Sequence, residues 1–266
     1  MADIRLKLLL AYKGTRFQGW QVQDRSRDKS ARTVQGVLET AVAKIVGQDV
    51  RVHGSGRTDS GVHAQGQVAH VDVPERLSDV PWVMALNSLL PSDVSVLNAE
   101  PAPLDFHARF SAASKIYSYN LWLSRQYVLP QKQPFVWSLN PVDLDAMDRA
   151  ARLLEGEHDF ACFRNQGSET ATTVRTLFEI SRDPADSLPE PDPANQVWPE
   201  VVWRFHANGF LKQMVRNLMG CLVEVGRGKM DEQHVLDLLA SGDRTLAPAT
   251  APAQGLTLER VLYPDG

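Results

Sequence analysis

Cysteine is scarce in this 266-residue chain: only Cys162 and Cys221 are present, far apart and outside any CxxC pairing. That excludes a disulfide framework and fits a reducing, cytoplasmic setting. The seven histidines form no HxxxH motif and no His–Cys cluster at ligand spacing, so a zinc or other metal centre is not expected. Long apolar runs are missing as well. KLLLAY at 7–12 and LMGCLV at 218–223 fall far short of the roughly 18 residues that a membrane span needs. Asp3 and Lys7 interrupt the opening stretch and no small-residue cleavage site follows, so no secretory signal is expected. GSGR at 54–57 lacks the lysine of a phosphate loop, and no dinucleotide fingerprint occurs. A formal net charge of −4 argues against a nonspecific nucleic-acid binder, because neutralising phosphates takes clustered cations.

The cations that are present are unevenly placed. Lys13, Arg16, Arg25, Arg27, Lys29 and Arg32 face only Asp24 and Asp28 over 13–32, and Arg204, Lys212, Arg216, Arg227 and Lys229 face only Glu224 over 204–229. Two cationic stretches on an acidic body point to a directed anionic partner, with solvated surface charge as the plainer reading of either one alone. A hydrophobic content of 43% supplies one large core or two modest ones.

Periodicity gives the coarse organisation. Ile4, Leu6, Leu8, Leu10 and Tyr12 alternate and predict a strand over 3–12. Thr33 is placed to cap a helix in which Val34, Val37, Leu38, Ala41 and Ile45 recur at helical spacing. Strands follow at 50–54 and 66–73, then a helix in PWVMALNSLL and a strand in DVSVLNAE. The second half repeats the rhythm: strands at 115–123, 174–182 and 200–207, a helix opened by Asn140-Pro141 and ended by Gly156, and a helix over 209–225. The predicted class is α+β, with a lobe over 1–105 and another over 106–266, each a sheet backed by helices. Residues 184–200, with five prolines among Asp186, Glu190, Asp192 and Glu200, read as an acidic surface loop unsuited to a phosphate backbone.

GRTDSGVHA, 56–64, carries the chemistry. It can be a turn, with Asp59 accepting backbone amides and Gly61 supplying a positive φ. An aspartic peptidase also places Asp in Asp-Ser-Gly, but it needs two carboxylates sharing a proton, and the chain has one such triplet with Arg57 beside it. In the third reading the segment is extended, so that Arg57 and Asp59 project to the same side and the guanidinium keeps the carboxylate ionised, ready to act as nucleophile or base. Tyr117 and Tyr119 share one face of the strand KIYSYNLWL with Leu121 and Leu123, which ordinarily means core packing. Arg216 interrupts an apolar helix, and if buried needs an anionic partner.

GRTDSGVHAQGQVAH at 56–70 resembles the catalytic segment of the tRNA pseudouridine synthase A family. The likeness continues in order through YKGTRFQGWQ (12–21), TVQGVLE (33–39), FHARFSA (106–112), KIYSY (115–119), MVRNLMG (214–220) and DRTLAPATAPAQGLTL (243–258). The resemblance implies a cofactor-free homodimeric isomerase that breaks the N-glycosidic bond of a uridine in tRNA, turns the uracil and rejoins it through carbon. Its targets would be up to three adjacent positions on the 3′ side of the anticodon stem-loop. It implies two related lobes, each an antiparallel sheet backed by helices, with the sheets joined and the active cleft between them. By motif position, Asp59 matches the catalytic aspartate, Arg57 the active-site arginine, Tyr117 the tyrosine that packs on the target base and Arg216 the basic residue of the MVRN helix. Arg109 buttresses the loop beneath Asp59 or contacts RNA; Arg16, Arg25 and Arg27 are candidates to line the tRNA path. Ser60 stands where the family more often has alanine, and DRSRDKSAR, 24–32, is longer and more basic than usual. The rival from another class is a noncatalytic RNA-binding protein with Tyr117 and Tyr119 as a stacking platform, which lacks the ribonucleoprotein strand signature.

Overall fold

The computed structural model describes residues 3–22, 32–165, 170–184, 191–195 and 197–264. The chain divides into two compact units, residues 1–113 with 257–266, and residues 114–256. The C-terminal segment belongs to the first unit.

In the first unit, β1 (Asp3–Tyr12), α1 (Val34–Val46), β2 (His53–Gly54), β3 (His63–Pro74), α2 (Trp82–Asn87) and β4 (Val94–Ala102) follow one another. The period-two pattern of β1 becomes burial: Leu6, Leu8, Leu10 and Tyr12 are all at most 5% exposed. β1 lies between β3 and β4, antiparallel to both, with Lys7 opposite His70 on one side and Glu100 on the other. Thr33 caps α1 by accepting the Gly36 amide at 3.2 Å, and Gly47, at φ 83°, ends it in the left-handed region. The strand expected over 50–54 is limited to β2, which pairs with His70 and Ala69 of β3.

The second unit holds β5 (Ser114–Trp122), β6 (Trp137–Ser138), α3 (Leu144–Arg152), β7 (Gly156–Asp159), β8 (Val174–Asp183), β9 (Glu200–Ala207), α4 (Met214–Gly226) and α5 (Glu232–Ser241). Its strands run β5-β9-β8-β7, antiparallel throughout, with β6 parallel to β5. Trp122, Trp203, Tyr119, Phe160, Phe163 and Phe205 fill its core. α3 starts later than Asn140-Pro141 suggests, because Asp143 is the residue whose carboxylate takes a first-turn amide, that of Ala146, at 2.9 Å. α4 starts at Met214 instead of 209, since Gln213 sits at φ 63° and stops the helix extending backwards. α5 and the last strand, β10 (Leu256–Leu262), are additions to the expected elements. β10 adds parallel to β3 in the first unit, Thr257 opposite His63, so that sheet is mixed. Helices pack on both sheets, α2 on β4 and α3 on β8, which makes the class α+β. Among the described residues no helix is long and apolar enough to cross a membrane.

Candidate active site

Asp59 stands on a turn that two backbone features define. The Val62 amide donates to the Asp59 carbonyl at 3.2 Å, and Gly61 takes φ 82°, a conformation that a side chain would strain. The turn reading of Asp-Ser-Gly therefore holds, and it is compatible with a reactive role: the turn lifts the Asp59 side chain to a half-buried position while Thr58 and Val62 on either side are buried.

A second loop, KGTRFQGW at 13–20, is laid against this turn. The Phe17 carbonyl accepts from the Gly61 amide and the Ser60 hydroxyl, and the Trp20 amide donates to the Thr58 carbonyl at 3.0 Å. Approach is close enough to require glycine. A Cβ on Gly14 would lie 1.9 Å from the Val62 carbonyl oxygen, and one on Gly19, itself at φ 90°, 2.6 Å from that of Thr58. The loop is tied in turn to α1, through Val34 to the Gly19 carbonyl and Gln35 to that of Trp20. Arg32 makes two bonds to Asp93, at 2.7 and 2.8 Å, and stacks its guanidinium 4.0 Å from the Phe17 ring centroid. That guanidinium, hydrogen-bonded to Asp93, holds its carboxyl below the usual carboxylate range.

Beneath the turn runs a buried polar network. The Tyr12 hydroxyl and Thr58 Oγ1 are 2.8 Å apart, Gln67 Nε2 donates to the Gly56 carbonyl at 3.0 Å and to the Tyr12 hydroxyl at 3.4 Å, and Ser55 Oγ donates to Gln67 Oε1 at 2.7 Å. Gln67 and Ser55 are wholly buried. Burial pushes the Tyr12 hydroxyl up to about 12, so it keeps its proton at neutral pH. The residues on both flanks of Arg57, Gly56 and Thr58, are thus held from below. His63 belongs to the same framework, its Nδ1 accepting the Gly14 amide at 3.0 Å. Nothing local in the sequence announces Tyr12, Thr58 and Gln67 as partners, since Gln67 is one of several polar residues in β3.

The Arg57–Asp59 pair expected from an extended segment is not formed. Arg57 is exposed and has no ion pair among the described residues. The reason is backbone geometry: 57–59 is irregular, Thr58 turns its hydroxyl inward, and the same-side rule for alternate residues does not apply. Arg16 is exposed on a one-turn helix at Gly14–Arg16, where its charge helps lower Asp93. Arg109 is exposed too, 5.5 Å from the Phe110 ring centroid, with no bond to the Asp59 turn among the described residues. Arg25 and Arg27 lie outside the described residues.

Tyr117 and Arg216 belong to the second unit. Tyr117, on β5, is 8% exposed and meets Phe210 edge-on at 5.2 Å. Tyr119 is fully buried and donates to the Pro252 carbonyl at 2.7 Å. Arg216, in the first turn of α4, is half-buried, and its Nε donates to the Ala251 carbonyl at 2.8 Å, while the Ala251 amide returns a bond to the Arg216 carbonyl. Arg244 reinforces this strap, bonding to the Ala247 and Pro248 carbonyls, Thr250 Oγ1 and Asn217 Oδ1, each at 3.1 Å. Asn217 and Arg244 were not foreseen as a pair, being 27 residues apart in sequence. The left-handed Gln213 immediately before α4 is the one non-glycine residue with positive φ among the described residues.

Comparison with known sequences places the chain in a known enzyme class. The sequence model of the tRNA pseudouridine synthase family matches residues 9–111 and 150–264, taking in Asp59, Arg57 and Arg216 but leaving Tyr117 between the matched segments. A tRNA pseudouridine synthase A of Oleidesulfovibrio alaskensis is 51% identical over 98% of this chain and 97% of that protein. The protein of the same name from Solidesulfovibrio magneticus is 53% identical over 97% of this chain and 91% of its own. Among solved structures, the archaeal box H/ACA sRNP Nop10–Cbf5 complex matches with a TM-score of 0.32 and 14% identity, over 82% of this chain and 53% of that one. The chain belongs to the tRNA pseudouridine synthase family and is an isomerase.

Proposed function

We propose that this chain converts uridine to pseudouridine on the 3′ side of the tRNA anticodon stem-loop, with Asp59 as the reacting carboxylate, and that it works as a cytoplasmic homodimer. The observation that carries the reading is the Asp59 turn: one half-buried carboxylate on a backbone fixed from two sides, in a chain that belongs to this family. The isomerisation breaks N1–C1′, forms C5–C1′, and gives up the C5 proton while N1 takes one up, so it needs no electron donor or phosphoryl group. A carboxylate can serve it by adding to C1′, by adding to the pyrimidine ring, or by taking a ribose proton in an elimination.

Reaching a stem nucleotide costs a few kcal/mol of pairing and stacking. Tyr117 is assigned the stacking that offsets this, worth about 1–3 kcal/mol for a base on an aromatic ring. Arg57, exposed and without an ion pair among the described residues, is available to a phosphate of the extruded nucleotide. Arg216 is assigned to the reacting nucleotide, and Arg16, Arg25, Arg27 and Arg109 to the tRNA backbone. The test is tritium release from tRNA carrying C5-labelled uridine, followed by mapping of pseudouridine in tRNA from cells with and without the protein. Release together with loss of anticodon-arm pseudouridine supports the proposal. Absence of release from any tRNA uridine rejects it.

A further inference from the structure

The segment after β4 is anchored far more firmly than a surface loop requires. Arg5 donates to the Leu104 carbonyl and, at 2.7 Å, to that of Phe106. The Ala108 amide donates to His70 Nδ1 at 3.1 Å, and Tyr263 donates its hydroxyl to the Ala108 carbonyl at 2.7 Å. Residues 107–111 then close on themselves. The His107 amide donates to Ser111 Oγ and the Ser111 amide to the His107 carbonyl, both at 2.9 Å, while His107 Nδ1 accepts the amides of Arg109 and Phe110 at 3.1 and 3.3 Å.

This scaffold displays an aromatic ring to solvent. Phe110 is 76% exposed, the highest value among the exposed large hydrophobic side chains, yet its ring lies 4.4 Å from that of His107 at 34°. His107 continues into His70, at 4.6 Å, and His70 stacks on exposed His53 at 5.0 Å. The Arg109 guanidinium stands 5.5 Å from the Phe110 ring centroid, and Arg109 has no ion pair among the described residues. Burial, with Arg5 and Arg109 nearby, lowers His107 below the ordinary imidazole value, in keeping with Nδ1 acting as an acceptor. β2 carries His53 and runs on through Ser55 and Gly56 to Arg57.

We infer that Phe110, backed by His107, is a stacking platform for an unpaired tRNA nucleotide other than the reacting uridine, with Arg109 beside it for that nucleotide's phosphate. The inference rests on tRNA being the substrate. A ring fixed before binding loses little conformational freedom on contact, and an adjoining cation suits an anionic chain better than an apolar protein surface. Its function is to hold the RNA in register while a different nucleotide reacts.

The experiment compares wild type, Phe110→Ala and Phe110→Trp for affinity to an unmodified tRNA transcript, for kcat and KM by tritium release, and for mass in sedimentation. Loss of one base–aromatic stack raises Kd and KM by about 5- to 150-fold in Phe110→Ala. At saturating tRNA, kcat stays near wild type, and Phe110→Trp restores affinity. Unchanged affinity in Phe110→Ala, or a changed sedimentation mass that accounts for the loss, overturns the inference; the latter would assign the ring to a second copy of the chain. Wild type that releases no tritium refutes the parent reading instead, so the two failures are distinct.

Discussion

Replacing Tyr12 by Phe removes one hydroxyl from the network beneath the Asp59 turn and leaves Thr58 Oγ1, buried, without its 2.8 Å partner. Gln67 keeps its bond to Gly56, so the loss is concentrated on Thr58. A buried group orphaned in this way costs about 1–3 kcal/mol. Thr58→Val, close in shape, orphans the Tyr12 hydroxyl on that side and costs a similar amount. The double variant orphans neither partner of this bond. It should therefore be destabilised by about 1–2 kcal/mol less than the sum of the single changes. Chemical denaturation of the four proteins closes the cycle. Single-variant losses that add within about 0.3 kcal/mol would refute a shared hydrogen bond as the link between β1 and the turn. The same variants should lower kcat more than they raise KM, because what moves is the backbone carrying Asp59.

Further expectations follow from neighbouring contacts. Gly14→Ala places a Cβ 1.9 Å from the Val62 carbonyl oxygen, and should cost about 1–3 kcal/mol in denaturation together with most of the turnover. Arg32→Ala should cost about 0.5–1 kcal/mol, since the pair is partly exposed. The lowered Asp93 carboxyl supplies that stability above the ordinary carboxylate pKa and loses it as pH falls through the lowered value, so the variant's deficit should vanish in strong acid. Burial, with Arg5 and the neighbouring histidines adding to it, pushes His70 down to about 4. Unfolded His70 binds its proton near pH 6.5, so stability is full above that value and declines toward pH 4, by at most about 1.4 kcal/mol per pH unit. Proton NMR of the imidazole should show no titration above pH 5. Neutralising Arg25 and Arg27 should flatten the salt dependence of tRNA binding by about one unit of slope per lost phosphate contact.

The pattern of what could be read beforehand has a physical logic. β1 and α1 are written locally: alternation in the one and helical spacing in the other put most of their apolar residues on one side, and Thr33 marks a start. α5 buries only Val235 and Leu238, too few to impose a period, and β10 follows a proline-rich stretch with only seven residues of its own. Gln213 has no sequence signature, because left-handed backbone outside glycine is imposed by its surroundings. Asp59 was legible as a turn residue from Asp-Ser-Gly. Its support was not, since Tyr12 meets Thr58 across 46 positions and Gln67 across 55. The predicted Arg57 partnership failed for a related reason: which side chains an irregular segment turns inward depends on what lies beneath it, here the Tyr12 hydroxyl.

The central claim, that Asp59 performs the chemistry rather than merely shaping its turn, is tested most directly by Asp59→Asn. The amide keeps the size of the side chain and leaves the backbone bonds of Val62 and Gly61 in place. Measured side by side, tRNA affinity should remain within a few-fold of wild type while tritium release from C5 falls to background. Turnover at the wild-type rate by this variant would contradict the account.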